Sequence, residues 1–191
     1  MILFFSGVGN SRYVAYEVAK KTHDKAFAMN ELLDQKKYNF KLSDGENLGI
    51  VVPVYFLGLP DIAKEYLEKL SLEYSGKQYV YLIATYYDAL GSIEYMVNDI
   101  LKKKGLRLNA RFSLKMPSTY TPYFDVKNKN KNKRMLDKAD VKLNNVIDFI
   151  KNKREGDYLY SRIRRKVGLR YYRKNYESKT GTKNYLWRNS S

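Results

Sequence analysis

Residues 48–55 constrain the fold of this chain most. They form an apolar run, rich in β-branched side chains, with no charged position in it. A strand with one face in water alternates apolar and polar residues. A strand without that alternation is covered on both faces, as the central strands of a parallel sheet are. Residues 1–5 and 79–84 have the same character. Between these runs the period changes: Tyr13, Val14, Tyr16, Glu17, Val18 and Ala19 recur at helical spacing, ending at Lys20 and Lys21, whose charges suit a helix C-terminus. Pro60 suits a helix start, and residues 62–70 continue that helix.

The remaining segments follow the same alternation. Residues 26–29 read as a short second strand, and Asp44-Gly45 marks a turn in the polar stretch after it. Residues 88–104 read as a helix with Ile93, Met96, Val97, Ile100 and Leu101 on its apolar face, Asp88 at its start and Gly105 as its C-cap. Residues 106–116 read as a fifth strand, more polar and nearer the edge. A Pro-containing loop over 116–122 then leads to a last helix over 128–153. Strands alternating with helices at this spacing predict an α/β fold: a doubly wound, five-stranded parallel sheet with strand order 2-1-3-4-5. In such sheets ligands sit beyond the carboxyl ends of the strands, where strands 1 and 3 part. The loops after Phe5, Pro53 and Ala84 are therefore the places for chemistry. The expected organisation is one domain over 1–153 and a basic, Tyr-rich extension over 154–191.

Composition narrows the chemistry. The 191 residues include no cysteine and one histidine, His23. Thiolate metal sites, thiolate-held iron–sulfur clusters, cysteine nucleophiles and His-rich metal sites are thereby excluded. His23, near the end of the first helix, reads as structural. Activity must rest on a bound cofactor or on hydroxyls, amides and carboxylates. The longest apolar run, residues 48–60, is broken by Pro53 and Gly58 and is too short to span a bilayer. No basic stretch precedes the apolar N-terminus, so the expected location is cytoplasmic, without membrane insertion.

The first loop, Ser6-Gly7-Val8-Gly9-Asn10-Ser11, joins a strand directly to a helix. Its glycines allow a tight turn that exposes N–H groups, and the helix start adds partial positive charge. An anion there would meet amides from about Gly7 to Arg12 and the hydroxyls of Ser6 and Ser11. No Gly-Lys-Ser/Thr follows, so this is not a Walker loop. A Gly-x-Gly turn by itself says only that an anion can sit at a helix start.

Three stretches together say more. Ser6-Gly7-Val8-Gly9-Asn10-Ser11 after the first strand, Val52-Pro53-Val54-Tyr55-Phe56-Leu57-Gly58-Leu59-Pro60 after the third and Thr85-Tyr86-Tyr87-Asp88-Ala89-Leu90-Gly91 after the fourth stand in order at the right strand ends. Over roughly residues 1–150 the chain resembles flavodoxin-like proteins, especially the flavodoxin domains fused to ferredoxin modules in anaerobic bacteria. The resemblance implies flavin mononucleotide (FMN) as cofactor, with its phosphate on the first loop. It further implies Tyr55 and Phe56 against one face of the isoalloxazine ring, Tyr86 and Tyr87 against the other, and backbone groups around Gly58 and Asp88 at the ring's polar edge. Pro53, Val54, Thr85 and Gly91 belong to the same two loops. Two departures stand out. Val8 replaces the usual Thr, removing one hydroxyl donor, and the cysteine clusters of the ferredoxin module are missing, so no internal relay to an iron–sulfur cluster is expected.

The net charge is +16, and residues 151–191 hold 13 Lys/Arg against 3 Asp/Glu, a net of +10. Arg162, Arg164, Arg165, Lys166, Arg170, Arg173 and Lys174 are interleaved there with Tyr160, Tyr171 and Tyr172. No nucleic-acid motif accompanies them, so an acidic redox protein is the favoured partner over nucleic acid. The function expected is FMN-dependent electron transfer or a small flavin-dependent reductase, with no catalytic side chain and no metal. The alternative is a cofactor-free module of the same fold that binds an acidic partner through its basic tail.

Overall fold

The apolar runs become neighbouring strands of one parallel sheet in the computed structural model, which describes residues 1–117 and 129–159. The main sheet contains β1 (Ile2–Phe4), β2 (Ala26–Ala28), β4 (Leu48–Pro53), β6 (Val80–Tyr86), β7 (Ala110–Lys115) and β8 (Gly156–Tyr158), in the order β2-β1-β4-β6-β7-β8. A second, two-stranded parallel sheet pairs β3 (Asn39–Leu42) with β5 (Ser71–Tyr74). The helices are α1 (Asn10–Thr22), α2 (Met29–Asp34), α3 (Asp61–Lys69), α4 (Ile93–Lys102) and α5 (Lys129–Lys151).

Side-chain alternation divides the core into two layers. Leu3, Ile50, Val52, Leu82 and Ala84 face α2, α3 and α4, while Ile2, Phe4, Val51, Tyr81 and Ile83 face α1 and α5. Because both faces are buried, no polar position interrupts β4 or β6. Each fully buried Leu, Ile or Val contributes roughly 1.5–3 kcal/mol. α4 ends in a Schellman cap: Gly105 (φ +76°) donates to Lys102 O and Leu106 donates to Leu101 O.

The doubly wound arrangement and the first five places of its strand order agree with expectation; four details differ. The sheet has a sixth strand, β8, past residue 153, held by Tyr158 stacking on Phe112 (5.2 Å, 4° between rings) and by Phe149. That strand makes β7 an interior strand rather than an edge. α4 begins at Ile93, not Asp88, which is exposed and caps no helix. The polar stretch before β4 holds β3, whose partner β5 follows α3; Phe40, Leu72 and Tyr74 of these strands pack on the core layer that faces α2, α3 and α4. The loop beyond Pro117 and the basic extension from Tyr160 onward lie outside the described residues.

Tyr81 sits opposite Gly49 in the β4–β6 register, and its ring lies across the glycine, where a Cβ would strike the phenol. Among the described residues the Tyr81 hydroxyl is buried without a hydrogen-bond partner, and burial pushes its pKa well above the ordinary value. A buried, unpartnered hydroxyl costs about 1–3 kcal/mol. Tyr81→Phe is therefore expected to stabilise the protein by about 1 kcal/mol in urea unfolding; destabilisation would show that the hydroxyl is satisfied after all.

Candidate functional site

The ends of β1, β4 and β6 bring the three loops together where the chain reverses between β1 and β4. After Phe5, whose amide donates to Val51 O, the chain leaves the sheet and turns through Gly9. Gly9 has φ +101°, a conformation an L side chain rarely adopts, and a Cβ built there meets nothing within 4 Å. The requirement for glycine is thus conformational, and no described residue crowds the space above it. The Gly9 amide donates to Ser6 Oγ (3.0 Å), and the first helical bond runs from Tyr13 N to Gly9 O.

The amides of Asn10, Ser11 and Arg12 therefore begin α1 with no helical acceptor. Among the described residues no side chain caps this end, and no acidic residue lies in the first turn. Three N–H groups and the positive end of the helix dipole lie together at this helix start, which is the donor set a phosphate takes. Asn10 Nδ2 ties the loop to Pro117 O (2.9 Å), at the end of β7. Val8 is exposed. Ser11 is not displayed at the surface: it is 1% exposed, and its hydroxyl pairs at 2.8 Å with that of Thr85, between α1 and β6. Its amide remains at the helix start.

The loop after β4 is a tight turn. Tyr55 and Gly58 exchange both backbone bonds (3.1 and 2.8 Å), and Phe56 (φ +46°) and Leu57 (φ +64°) are both left-handed. Two consecutive non-glycine residues in that region store of order 1–2 kcal/mol each. The strain is held by the loop after β6: Ser92 donates to Leu57 O from its amide (2.8 Å) and from its hydroxyl (3.2 Å). Gly91 (φ +57°) lies so close that a Cβ there would fall on the Leu57 backbone. Gly58 abuts Met96 Sδ, which also receives the Leu59 amide at 3.3 Å.

The aromatic residues do not form two facing walls. Tyr55 leans away from its own turn toward the first loop. Its ring meets Phe5 edge-on at 6.3 Å, and its hydroxyl lies against Gly7. Burial pushes the Tyr55 pKa up, and the Gly7 N–H opposes that rise. Phe56 is 70% exposed. Tyr86 is buried in the layer under α3 and α4, whereas Tyr87 faces α5, with Lys115 Nζ over its ring (5.8 Å) and Lys131 Nζ at its hydroxyl (3.4 Å). Pro53 and Thr85 pair in register, and the Val54 amide donates to Thr85 O, which sets the start of both loops.

The structure thus brings Ser6, Gly7, Gly9, Asn10 and Tyr55 together at one edge, and Gly58 and Gly91 together where the other two loops touch. Ser11 and Thr85 pair beneath the loop, and Asp88 stands exposed. Ser92 was not singled out from the sequence, although a serine one residue before an apolar periodic segment is a helix-start signal. Here its hydroxyl serves the neighbouring loop instead of its own helix.

A family model described as a flavodoxin domain matches residues 1–142. A search of curated proteins found no match. Among solved structures the chain is similar to rubredoxin:oxygen oxidoreductase from the anaerobe Desulfovibrio gigas (12% identity, TM-score 0.46), over 75% of this chain and 35% of that one, so it spans about a third of that protein. It is also similar to a Fusobacterium nucleatum flavodoxin bound to flavin mononucleotide (16% identity, TM-score 0.44, 81% and 97% covered). A third is the Trp repressor binding protein from Bacillus subtilis (10% identity, TM-score 0.40, 72% and 93% covered).

Proposed function

The chain belongs to the flavodoxin-domain family, and from that premise we propose that it holds FMN by its phosphate on the first loop and acts in electron transfer or as a small flavin-dependent reductase. The observation that carries the reading is the start of α1: three amides without helical acceptors, an open left-handed turn at Gly9 and no acid in the first turn. A phosphate dianion is the charge such a terminus favours. When bound, the flavin supplies the redox chemistry, and the chain's own residues bind and orient it. Ser6 holds the turn, Asn10 anchors it to the end of β7, and the contact between Leu57 and Ser92 fixes the spacing of the other two loops.

The test is to add FMN to the purified full-length protein and follow flavin fluorescence and absorbance. Quenching with a spectral shift is expected; neither at high protein concentration would overturn the reading. Val8 offers a second measurement. It is 56% exposed, so a threonine there disturbs no packing. Val8→Thr restores the hydroxyl usual in the family, and a hydrogen bond to a charged group contributes roughly 1.5–3 kcal/mol. FMN affinity should rise about tenfold or more. Unchanged affinity would place the phosphate away from residue 8.

The partner proposed with this reading is an acidic redox protein, complementary to the net charge of +16. Its complex should weaken as salt rises; binding indifferent to salt would exclude it.

A further inference from the structure

Tyr55 occupies an unexpected place for a ring-facing aromatic. Its side chain leaves the turn between Tyr55 and Gly58 and lays its hydroxyl against Gly7, in the middle of the anion loop. Phe5 holds the ring edge-on. The tyrosine is 39% exposed, so it is not part of the sealed core. A phenol has one proton to give and lone pairs to receive. Among the described residues no acceptor takes the phenolic proton.

The same loop has few side-chain donors of its own. Val8 carries no hydroxyl, Ser11 has turned its hydroxyl to Thr85, and Ser6 Oγ, which accepts the Gly9 amide, has a single proton to give. The loop therefore has amides in plenty and few side-chain donors, and a phenol with an uncommitted proton lies against it. Building on the flavin reading above, we propose that Tyr55 is a phosphate-binding residue, its hydroxyl donating to the ligand's phosphate in place of the hydroxyl that Val8 lacks. This role differs from ring stacking: it depends on the oxygen and not on the aromatic face, and it acts on the phosphate and not on the isoalloxazine.

That difference makes the proposal testable. Wild-type protein, Tyr55→Phe, and Tyr55→Phe combined with Val8→Thr are titrated with three probes: FMN, riboflavin, which lacks the phosphate, and inorganic phosphate. Flavin binding is read from fluorescence and phosphate binding from amide NMR shifts of the first loop. Tyr55→Phe keeps the ring and the contact with Phe5, and circular dichroism checks that the fold is intact. The expected result is a loss of about ten- to a hundredfold for FMN with riboflavin unchanged, weaker inorganic phosphate binding, and recovery of FMN affinity on adding Val8→Thr. Equal losses for FMN and riboflavin, or no loss for either, would overturn the role of the hydroxyl while leaving FMN binding standing. Phosphate binding that depends on Tyr55, with no flavin binding in the wild type, would overturn the flavin reading and keep the donor. Wild-type protein that binds none of the three overturns both.

Discussion

Ser6→Asp is expected to reduce FMN affinity roughly a thousandfold while leaving the fold in place. Ser6 stands at the carboxyl end of β1, and its Oγ accepts the Gly9 amide at 3.0 Å. An aspartate presents a carboxylate oxygen from the same position, so the turn that sets Gly9 can survive. What changes is charge. The start of α1 has no acidic residue in its first turn, and its three uncommitted amides attract an anion. A carboxylate there satisfies those amides from within and repels an incoming phosphate. Two like charges about 4 Å apart at a protein surface cost roughly 4 kcal/mol, which is about three decades of affinity. The control is Ser6→Asn, similar in size but neutral, which should lose much less. Equal losses in the two variants would mean that side-chain shape and not charge governs this loop. Unchanged binding in Ser6→Asp would place the phosphate elsewhere.

Much of the fold was legible because burial on both faces erases polar alternation. Residues 1–5, 48–55 and 79–84 carry that mark, and they became β1, β4 and β6. The strands that escaped notice lack it. β3 and β5 alternate exposed residues with half-buried or buried ones over only four positions each, too short a pattern to separate from a polar loop. β8 is three residues long, and what holds it is aromatic contact with Phe149 and with Phe112, a residue far away in sequence. Asp88 precedes an apolar periodic segment, which is the sequence mark of a helix start, but the chain first needs Gly91 and Ser92 to meet the loop at Leu57.

The candidate site shows the same division. The placement of its three loops at strand ends follows from the order of elements, which sequence carries. The direction of each side chain does not. Thr85 lies on the α1 side of β6 and Tyr86 on the other, as strand alternation demands, so the tyrosine enters the core while the threonine meets Ser11 across 74 residues of chain. Tyr55 turns toward Gly7 because a glycine leaves room there, and nothing local in the sequence marks that pairing.

Gly91→Ala is expected to destabilise the protein by about 3–5 kcal/mol, and the same substitution at Gly9 by much less. Both glycines have positive φ, +57° and +101°, so both variants bear the cost of an L residue in the left-handed region, about 1–2 kcal/mol. Their surroundings differ. A Cβ at Gly9 meets nothing within 4 Å, whereas one at Gly91 falls on the backbone of Leu57. Backbone cannot rotate away as a flexible side chain can. To relieve the clash, the turn between Tyr55 and Gly58 must swing outward, and it then gives up both bonds from Ser92 to Leu57 O, each contributing about 0.5–1.5 kcal/mol. Ser92 is 0% exposed, so its amide and hydroxyl would be left buried without acceptors, adding to the loss. Urea unfolding of the two variants measures the difference. FMN titration of Gly91→Ala at low denaturant then reports whether a changed loop spacing weakens the ring's seat. If Gly91→Ala cost no more than Gly9→Ala, the two loops would be free to part. The contact at Leu57 would then not set the distance between them.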